Sequence, residues 1–407
     1  MTAPGALSGV RVIDMTSVVM GPYATQIMGD MGADVIKVEP PAGDTTRKIS
    51  PMRNPNMGYM FLNLNRNKRS LVLNLKLKPA VDALLSVVRT ADVLVSNVRP
   101  NALARLGLDL GALGAANSRL VSVSLVGFAQ EGPYRAMPVY EDLIQGLTTI
   151  PSLLVETGSE QPHYVPYAFN DRTVGLHAAV TVLAALLWRE RTGKGQHIEI
   201  PMFETMAQGI LGEHLGGETF APPLGPMGYR RSLSKNRRPY RTKDGFICVI
   251  IYTDRQWQAF FDLQDDGRRI AEDERFRDIG ARTQHIDELY QLIAEAMATR
   301  TTTEWLESLQ RADIPATPLH TLESLLSDPH LEAVGLLQTV EHPTEGTVRQ
   351  PGHPARWSES PPATTRHAPR LGEHSVEILQ EAGVSADHIA HLLQTGATVQ
   401  PQLQEQP

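Results

Sequence analysis

Residues 10–39 read VRVIDMTSVVMGPYATQIMGDMGADVIKVE, and this stretch decides the fold. Val10–Met15 and Ala33–Glu39 are short, β-branched and apolar, which is typical of buried strands. Ala24–Met31 lies between them and has the composition of a short helix. The order strand, helix, strand predicts a βαβ unit in which the two strands lie parallel in one sheet.

The same alternation continues along the N-terminal half of the chain. Further strands are predicted at Ser70–Leu75, Ala91–Ser96, Arg119–Ser124 and His197–Pro201, and further helices at Ala80–Arg89, Thr173–Arg191 and Phe203–Gly212. The pattern of Ser70–Leu75 favours a partly exposed edge strand, whereas Thr173–Arg191 is apolar on nearly every face and predicts a buried helix. We therefore expect an α/β fold, with a large Rossmann-like domain built around a parallel sheet.

A smaller domain is expected after a change in composition at Phe220–Arg241. This segment is rich in Pro, Gly and Arg and lacks periodicity, which predicts a linker. Beyond it the sequence predicts one strand and three helices, at Gly245–Tyr252, Arg255–Leu263, Arg282–Ala298 and Thr302–Ala312. We assign residues 1–225 and 328–407 to the large domain and residues 226–327 to a smaller α+β domain. A last helix is predicted at Ser375–Ala382, before a polar tail that we expect to be disordered.

Composition argues against several classes of protein. The 407 residues carry a formal net charge of −7, which disfavours the basic stripe of a nucleic-acid-binding surface. The longest apolar stretch lies within Val180–Trp188 and is too short to span a bilayer, and residues 1–15 lack the pattern of a secretory signal. The single cysteine, Cys248, permits no intrachain disulfide, so a reducing cytoplasm is the expected setting.

The common motifs that hold nucleotides or metals do not occur in the sequence. The turn after Met15 has no G-x-G-x-x-G, so we expect a ligand other than a dinucleotide at the first βαβ unit. Thr192–Gln196 (TGKGQ) lacks the spacing of a P-loop. The basic run between Arg230 and Arg241 is best explained as a solvated linker face, with phosphate binding as the alternative. His177 has no second histidine at helical spacing, so we predict no metal site.

Asp171, in the segment AFNDRTVGLHAAV, comes directly before the predicted buried helix. Aspartate is favoured as a cap at the start of a helix, and the helix dipole there keeps a carboxylate ionised. An ionised carboxylate is also able to attack an acyl carbon and form a covalent intermediate. We therefore expect Asp171 to cap the helix in its ionised form, a role that is compatible with that of a nucleophile.

Seven segments of the chain occur in an order that is found in a known family. The segments are LSGVRVIDMTSVVMGPYATQIMGDMGADVIKVEPPAGDTTR, NRNKRSLVLNLK, ADVLVSNVRPNALARLGL, SLVGFAQEGPYRAMPVYEDLIQG, NDRTVGLHAAVTVLAALLWRERTGKGQHIEIPMFE, IPATPLHTL and APRLGEHS. Together they resemble the class III CoA-transferase family, also described as the L-carnitine dehydratase/bile-acid-inducible type. The resemblance implies a Rossmann-like CoA-binding domain and an interlocked homodimer.

By this resemblance, Asp171 is the catalytic aspartate of a CoA-transferase. The implied substrates are an acyl-CoA and a carboxylic acid, with no tightly bound cofactor. The carboxylate would attack the acyl-CoA thioester, and the released CoA thiolate would convert the mixed anhydride into an aspartyl-CoA thioester. The acceptor acid would then take up the CoA.

The resemblance also implies binding residues. Positions expected to contact CoA are Val18, Leu73, Lys76, Asn97, Val98, Arg99 and Arg105, and positions expected near the active site are Tyr140 and Glu141. The cations Lys76 and Arg105 suit phosphate groups. Two positions depart from formyl-CoA transferase, since a glutamine after the first strand is Val19 here and an arginine after the second strand is Pro40. Formyl or oxalyl specificity is therefore not implied.

Two alternative functions stay open. The α-methylacyl-CoA racemases resemble this chain in fold and in the aspartate, but racemisation needs two proton-transfer groups on opposite faces of the α-carbon. A histidine of those enzymes is replaced here by Tyr140, and an unperturbed tyrosine, with a pKa of about 10, is a poor base at neutral pH. We therefore favour a transferase over a racemase. The second alternative is a CoA-binding protein without catalytic activity.

Overall fold

Helices and strands follow the alternation expected from the sequence. The computed structural model describes residues 5–264 and 267–401. The strands are β1 (Arg11–Met15), β2 (Asp34–Glu39), β3 (Lys68–Val72), β4 (Val93–Ser96), β5 (Val121–Val126), β6 (Gln196–Pro201), β7 (Tyr240–Arg241), β8 (Phe246–Val249), β9 (Ala316–Pro318), β10 (Leu337–His342) and β11 (Gly346–Pro351). The helices are α1 (Met20–Asp30), α2 (Tyr59–Leu64), α3 (Lys78–Arg89), α4 (Pro100–Arg105), α5 (Leu110–Ala116), α6 (Glu141–Leu147), α7 (Ile150–Glu156), α8 (Phe169–Thr192), α9 (Met202–His214), α10 (Arg230–Leu233), α11 (Asp254–Asp262), α12 (Gly267–Ala271), α13 (Ile279–Gln284), α14 (Ile286–Met297), α15 (Thr302–Arg311), α16 (Leu322–Leu326), α17 (Pro329–Ala333), α18 (Ser375–Glu381) and α19 (Ala386–Gln394). Short 3-10 helices cover Thr45–Lys48, Gly216–Thr219 and Glu274–Phe276.

The chain packs into two compact units, which we describe separately. The larger unit contains the described residues up to Ile144, the segment Pro166–Met206 and the described residues from His330 onward. The smaller unit contains Gln145–Val165 and the described part of Ala207–Pro329. The predicted domain boundaries stay a prediction, because compact packing does not show which segments fold independently.

Six parallel strands form the main sheet of the larger unit, in the order β3-β2-β1-β4-β5-β6. β1 lies near the centre, where Val12 is level with Val35 of β2 and with Val93 of β4. The carboxyl ends of parallel strands meet at one edge of a sheet, and the strand order reverses between β1 and β4. The prediction of a Rossmann-like α/β fold is confirmed.

Helices cover both faces of this sheet, which is why its strands are apolar on both sides. On one face, Val12 and Val35 pack with α1 and α8. On the other face, Ile13 and Leu71 pack with α3, α18 and α19. Val12 and Ile13 point to opposite faces because successive side chains alternate along a strand. The apolar runs in the sequence therefore correspond to strands whose two faces are both covered by helices.

The edge strand β3 differs from the expectation. It spans Lys68–Val72 rather than Ser70–Leu75, and all its residues are buried. The C-terminal segment covers its open edge: the N–H of Val72 donates to the Ser375 hydroxyl at 3.1 Å, and the Thr398 hydroxyl donates to the Val72 carbonyl at 2.6 Å. The prediction of a partly exposed edge is wrong because the covering residues are 303 and 326 positions away in the sequence.

The polar tail predicted after Ala382 is partly helical. α19 follows Ser385, whose hydroxyl accepts a hydrogen bond from a backbone N–H of the first turn and so caps the helix. Ile389 and Leu392 are three residues apart, so they share one face of α19, and both are buried in the core. The prediction of disorder is therefore wrong for this helix, and residues 402–407 of the tail lie outside the described residues.

α8 is not buried on all sides. Val174, Ala178 and Val182 are buried in the core, but Val180 and Leu187 on another face of the helix are 65% and 54% exposed. The apolar sequence therefore combines a core-facing side with a second apolar face that points away from the core of this chain. No helix in the described part of the chain is both long enough and apolar enough to cross a membrane.

The smaller unit has an α+β architecture. β7, β8 and β9 form an antiparallel sheet. Its core contains Trp257 of α11, Leu289 of α14 and Trp305 of α15. The helix predicted at Arg282–Ala298 is instead two helices, α13 and α14, which meet at His285. The predicted linker contains the short helix α10 and ends in β7.

Charged side chains of β1, β2 and β3 lie buried together in the larger unit. Nζ of Lys68 lies 2.9 Å from Oδ2 of Asp14, and Nζ of Lys37 lies 3.0 Å from Oδ2 of Asp44. None of these four side chains is more than 1% exposed. Burial alone would raise the pKa of Asp14, but the facing ammonium groups of Lys68 and Lys37 hold it well below its usual value. Each buried charge is tolerated only while its partner remains.

Removal of one partner from this network is expected to destabilise the protein. Lys68→Met preserves the length of the side chain but leaves Asp14 without its nearest cation, so we expect the free energy of unfolding to fall by about 3–5 kcal/mol. Lys78→Met is the control, because Lys78 pairs with Asp82 at the surface and is 74% exposed; here we expect a loss below about 1 kcal/mol. Urea denaturation measures both, and equal stabilities of the two variants would contradict the prediction.

Candidate active site

A cavity of about 410 Å³ lies in the larger unit, at the carboxyl ends of its parallel strands. The residues that line it include Ser17 and Val18 after β1, Asn97 and Arg99 after β4, Gly127 and Arg135 after β5, Asp171 in α8 and Met202 after β6. These loops meet because parallel strands end at the same edge of the sheet. The reversal of strand order between β1 and β4 leaves a crevice there, which is where open α/β sheets bind ligands.

The loops after β1 and β4 are joined by a reciprocal pair of hydrogen bonds. The N–H of Ser17 donates to Oδ1 of Asn97 at 3.1 Å, and Nδ2 of Asn97 donates to the Ser17 carbonyl at 3.0 Å. The next residue, Val18, has a φ of 72°, a left-handed conformation that is unfavourable for a β-branched residue. Its N–H points to Oδ1 of Asp44 at 3.4 Å, so the buried charge network reaches the wall of the cavity.

Asp171 is the only acidic side chain among the described residues that line the cavity. It lies in the first turn of α8, where it is the third residue of the helix. The N-cap is Ala168, and no side chain caps the helix from that position. The expectation that Asp171 caps the helix is therefore wrong, and its carboxyl group lines the cavity instead.

Glu141 takes the place at the helix end that was expected for Asp171. Its Oε1 accepts a hydrogen bond from the N–H of Asn170 at 3.1 Å, and its Oε2 accepts one from the N–H of Asp171 at 2.8 Å. First-turn N–H groups have no carbonyl partner within their own helix. Nδ2 of Asn170 also donates to the Glu141 carbonyl at 3.2 Å. Glu141 thus ties the start of α6 to the start of α8 and holds the backbone of Asp171 in place.

The pKa of Asp171 is raised to about 7, because burial disfavours its charged form and the Glu141 carboxylate repels it. Arg172 opposes this shift only in part. Its guanidinium carbon lies 4.8 Å from the centre of the Tyr23 ring and 5.6 Å from that of Tyr167. The expectation that the helix end would keep Asp171 ionised is wrong, because burial and the charge of Glu141 raise its pKa. Glu141 rather than Asp171 accepts hydrogen bonds from the first N–H groups of α8.

The cavity gathers some of the residues implied by the family resemblance. Those that line it are Val18, Asn97, Arg99, Tyr140 and Asp171. Leu73 is 1% exposed, and the partly buried Val98 packs against the same core cluster, so both side chains contribute to the core rather than to the cavity lining. Lys76 after β3 and Arg105 at the end of α4 are exposed and lie outside this lining. The contact roles of all these residues stay predictions.

Several residues of the cavity wall were not predicted from the sequence. They are Ser17, Thr45, Gln130, Arg135 and Met202. Each follows the carboxyl end of a strand of the main sheet. Such a position indicates ligand contact only when the strand lies near the point where the strand order reverses, and the sequence alone does not give that order. Arg135 lies in a loop without periodicity, so no pattern in the sequence marked it. Within the described residues, no group of three or more His, Cys, Asp or Glu side chains is placed to hold a metal ion.

Comparison with known proteins places this architecture in a family. A sequence profile described as CoA-transferase family III matches residues 7–375. The succinate–glutarate CoA-transferase of Agrobacterium fabrum is 33% identical over 388 residues, which cover 92% of this chain and 95% of that protein. A formyl-CoA:oxalate CoA-transferase of Streptomyces coelicolor is also 33% identical, over 97% of this chain and 100% of that protein.

Solved structures give the same result. The crystal structure of a CAIB/BAIF family protein from Brucella suis is 29% identical to this chain, with a TM-score of 0.77 over 93% of this chain and 100% of that one. The matches in sequence and in structure both extend over nearly the whole chain, and they confirm the family predicted from the ordered segments. The chain belongs to CoA-transferase family III and is an enzyme of the class III CoA-transferase type.

Proposed function

We propose that this enzyme transfers CoA from an acyl-CoA to a carboxylic acid through a covalent intermediate on Asp171. The position of this carboxyl group carries the proposal: it is the single acid among the described residues of the cavity lining, at the point where the strand order reverses. Relatives support the reaction class, since one is named for succinate and glutarate and another for formyl-CoA and oxalate.

The reaction begins with the ionised carboxylate of Asp171. Its oxygen attacks the thioester carbonyl, the carbon–sulfur bond breaks, CoA leaves as a thiolate, and an aspartyl acyl anhydride remains. The thiolate attacks the aspartyl carbonyl of the anhydride, which releases the first carboxylate and leaves an aspartyl-CoA thioester. The acceptor carboxylate then repeats these two steps in reverse, which yields the new acyl-CoA and regenerates Asp171.

The neighbouring carboxylate of Glu141 favours this covalent route. Burial and the charge of Glu141 both disfavour the ionised form of Asp171, and formation of the anhydride or the thioester removes that charge. The covalent states therefore relieve a repulsion that is present in the resting enzyme. Glu141 acts as a positioning residue in this scheme, because its carboxylate oxygens bind N–H groups of α8.

We assign CoA to the carboxyl edge of the main sheet. The proposed contacts are Val18, Leu73, Lys76, Asn97, Val98, Arg99 and Arg105. Adjacent strands are about 4.8 Å apart, so the loops after β3 and β4 are separated by roughly 14 Å, which a long flexible molecule such as CoA is able to span. The exposed cations Lys76 and Arg105 suit its phosphate groups. A cytoplasmic location stays a prediction from the single cysteine.

A racemase is the competing function, because a carboxyl group with a pKa of about 7 is also suited to proton transfer. Racemisation needs a second such group on the opposite face of the substrate. Among the described residues that line the cavity there is no histidine, cysteine or second acid, and the hydroxyl group of Tyr140 belongs to a side chain that is 72% exposed. The residues that line the cavity therefore favour CoA transfer through the single carboxylate of Asp171 over racemisation.

We further propose that two copies of the chain form an interlocked homodimer, as the family resemblance implies. The second face of α8 supports this proposal. Leu176, Val180, Leu187 and Trp188 on this face are 49%, 65%, 54% and 53% exposed. Burial of apolar surface is the main favourable contribution to most protein–protein association. A contiguous exposed apolar patch of this kind is typical of an interaction surface.

Asp171→Asn is expected to lower CoA exchange by at least about 1000-fold, because the amide lacks the nucleophilic oxygen of the carboxylate. Asp142→Asn is the matched control, since Asp142 is exposed on α6 and lies outside the cavity lining; it should retain wild-type activity. Mass spectrometry of acyl-CoA donors against mono- and dicarboxylic acids measures the exchange, and hydroxylamine should trap the wild-type intermediate on Asp171.

The same assay in deuterated water separates the two functions. Deuterium incorporation at the α-carbon of a 2-methylacyl-CoA, with no acceptor acid present, would indicate a racemase. Full exchange activity of Asp171→Asn would rule out the proposed nucleophile.

The rate is expected to depend on pH through Asp171. This group must be deprotonated to attack, so kcat/KM for the acyl-CoA should rise with pH and level off above about 7. Glu141→Gln keeps the shape of the side chain but removes a charge that raises the pKa of Asp171, so the rise should move to lower pH. Asp142→Asn should leave the profile unchanged. Identical profiles for Glu141→Gln and the wild type would contradict the assignment.

Light scattering is expected to give twice the chain mass of 44.7 kDa for the wild-type protein. Val180→Asp combined with Leu187→Asp places charges on the exposed apolar face of α8, where a dimer would have to desolvate them, so we expect assembly to be lost. Leu322→Asp is the control, because Leu322 is 83% exposed in the smaller unit. A monomeric wild type, or a dimer that tolerates the double substitution, would be inconsistent with the proposed interface.

A further inference from the structure

Two arginines line the cavity that contains Asp171: Arg99 after β4 and Arg135 after β5. Both are exposed, and within the described residues neither side chain makes an ion pair or a hydrogen bond. Asp171 is the single acid of the described lining. The cavity therefore carries more positive than negative charge and suits a ligand with more than one anionic group.

The loop that carries Arg135 is anchored at its start. The N–H of Ala129 donates to Oε1 of Glu204 at 3.0 Å. The ring of Tyr134, next to Arg135, packs edge-on against Phe128 with ring centres 5.4 Å apart. These contacts fix the backbone from which Arg135 reaches the cavity, so less conformational entropy is lost when its side chain binds a ligand.

The two arginines belong to different parts of the cavity wall. Arg99 is two residues from Asn97, on the loop that we assign to CoA. Arg135 lies on the loop that leads into Glu141, and Glu141 holds the backbone of Asp171. Arg135 therefore lies on the loop that ends at the residue holding Asp171, whereas Arg99 lies on a loop that we assign to CoA.

We propose that Arg135 binds the distal carboxylate of a dicarboxylic acid whose proximal carboxyl group lies at Asp171. This inference rests on the proposed CoA transfer and deepens it by naming the substrate class. A guanidinium group is a planar fork that matches a carboxylate through two parallel hydrogen bonds. Met137 and Val139 also line the cavity, and their apolar side chains suit the methylene groups between the two carboxyl groups.

This arrangement selects substrates by charge. A monocarboxylic acid of the same length ends in a methyl group, which offers no acceptor to Arg135. A hydrogen bond to a charged group is worth about a 10- to 100-fold difference in affinity. The preference should appear in KM for the acid, because attack by the proximal carboxylate depends on Asp171 and not on Arg135.

The test compares glutarate with pentanoate, two five-carbon acids that differ by one carboxylate, as CoA acceptors. For Arg135→Gln we expect a 10- to 100-fold rise in KM for glutarate, an unchanged KM for pentanoate and an unchanged kcat for both. Arg135→Lys should restore part of the preference, because it keeps the charge but not the fork. Arg89→Gln, exposed at the end of α3, is the surface control and should match the wild type.

Equal use of glutarate and pentanoate by the wild type, or an unchanged preference in Arg135→Gln, would overturn the inference while leaving CoA transfer intact. A preference lost in Arg99→Gln instead would assign the distal carboxylate to the other arginine and overturn it as well. If the wild-type enzyme transferred CoA to none of the acids tested, the proposed function would be contradicted. Calorimetric titration of glutarate into the wild type and into Arg135→Gln would then test binding by Arg135 independently of transfer. Equal affinities of the two proteins for glutarate would overturn the inference.

Discussion

Buried opposite charges that pair with one another stabilise the centre of the larger unit. The ion pairs are Lys68–Asp14, Lys37–Asp44 and Arg47–Glu39. Any one of these charges alone would be strongly destabilising in an apolar interior, so the three strands and the loop after β2 are confined to one arrangement. Asp44 and Arg47 belong to that loop, and Thr45 between them lines the cavity. The wall of the candidate active site is therefore positioned by ion pairs between side chains that are themselves buried.

Asp14 is fully buried and Asp171 is partly buried, yet their pKa values move in opposite directions. Burial disfavours the charged form of each, but two ammonium groups face Asp14 and hold its pKa well below the usual value. Asp171 faces the carboxylate of Glu141, and the pKa rises to about 7. Cationic partners thus stabilise the charge of Asp14, whereas Arg172 offsets the effects of burial and of Glu141 on Asp171 only in part. The larger unit contains both environments: one stabilises the packing of its strands, and the other lies at the candidate active site.

Elements governed by their own residues were predicted closely. Val10–Met15 and Ala33–Glu39 agree with β1 and β2 to within one residue, because strand formation there follows from a local apolar run between turns. The burial of β3 and the helix α19 were not predicted, because each depends on the other: the C-terminal segment covers β3, and the core beside β3 gives α19 a surface on which to dock. The relevant residues are more than 300 positions apart in the chain.

Residue order along the chain was sufficient to establish the α/β class, the family and the candidate nucleophile, since these follow from local patterns and from an ordered set of segments. Folding alone settled which carboxylate binds the first turn of α8 and which faces the cavity, since Glu141 and Asp171 meet across 30 residues. Folding likewise brought Arg135 to the same cavity. The physical reason is that a pKa depends on burial and on neighbouring charges, and both are properties of the assembled sheet edge rather than of any segment.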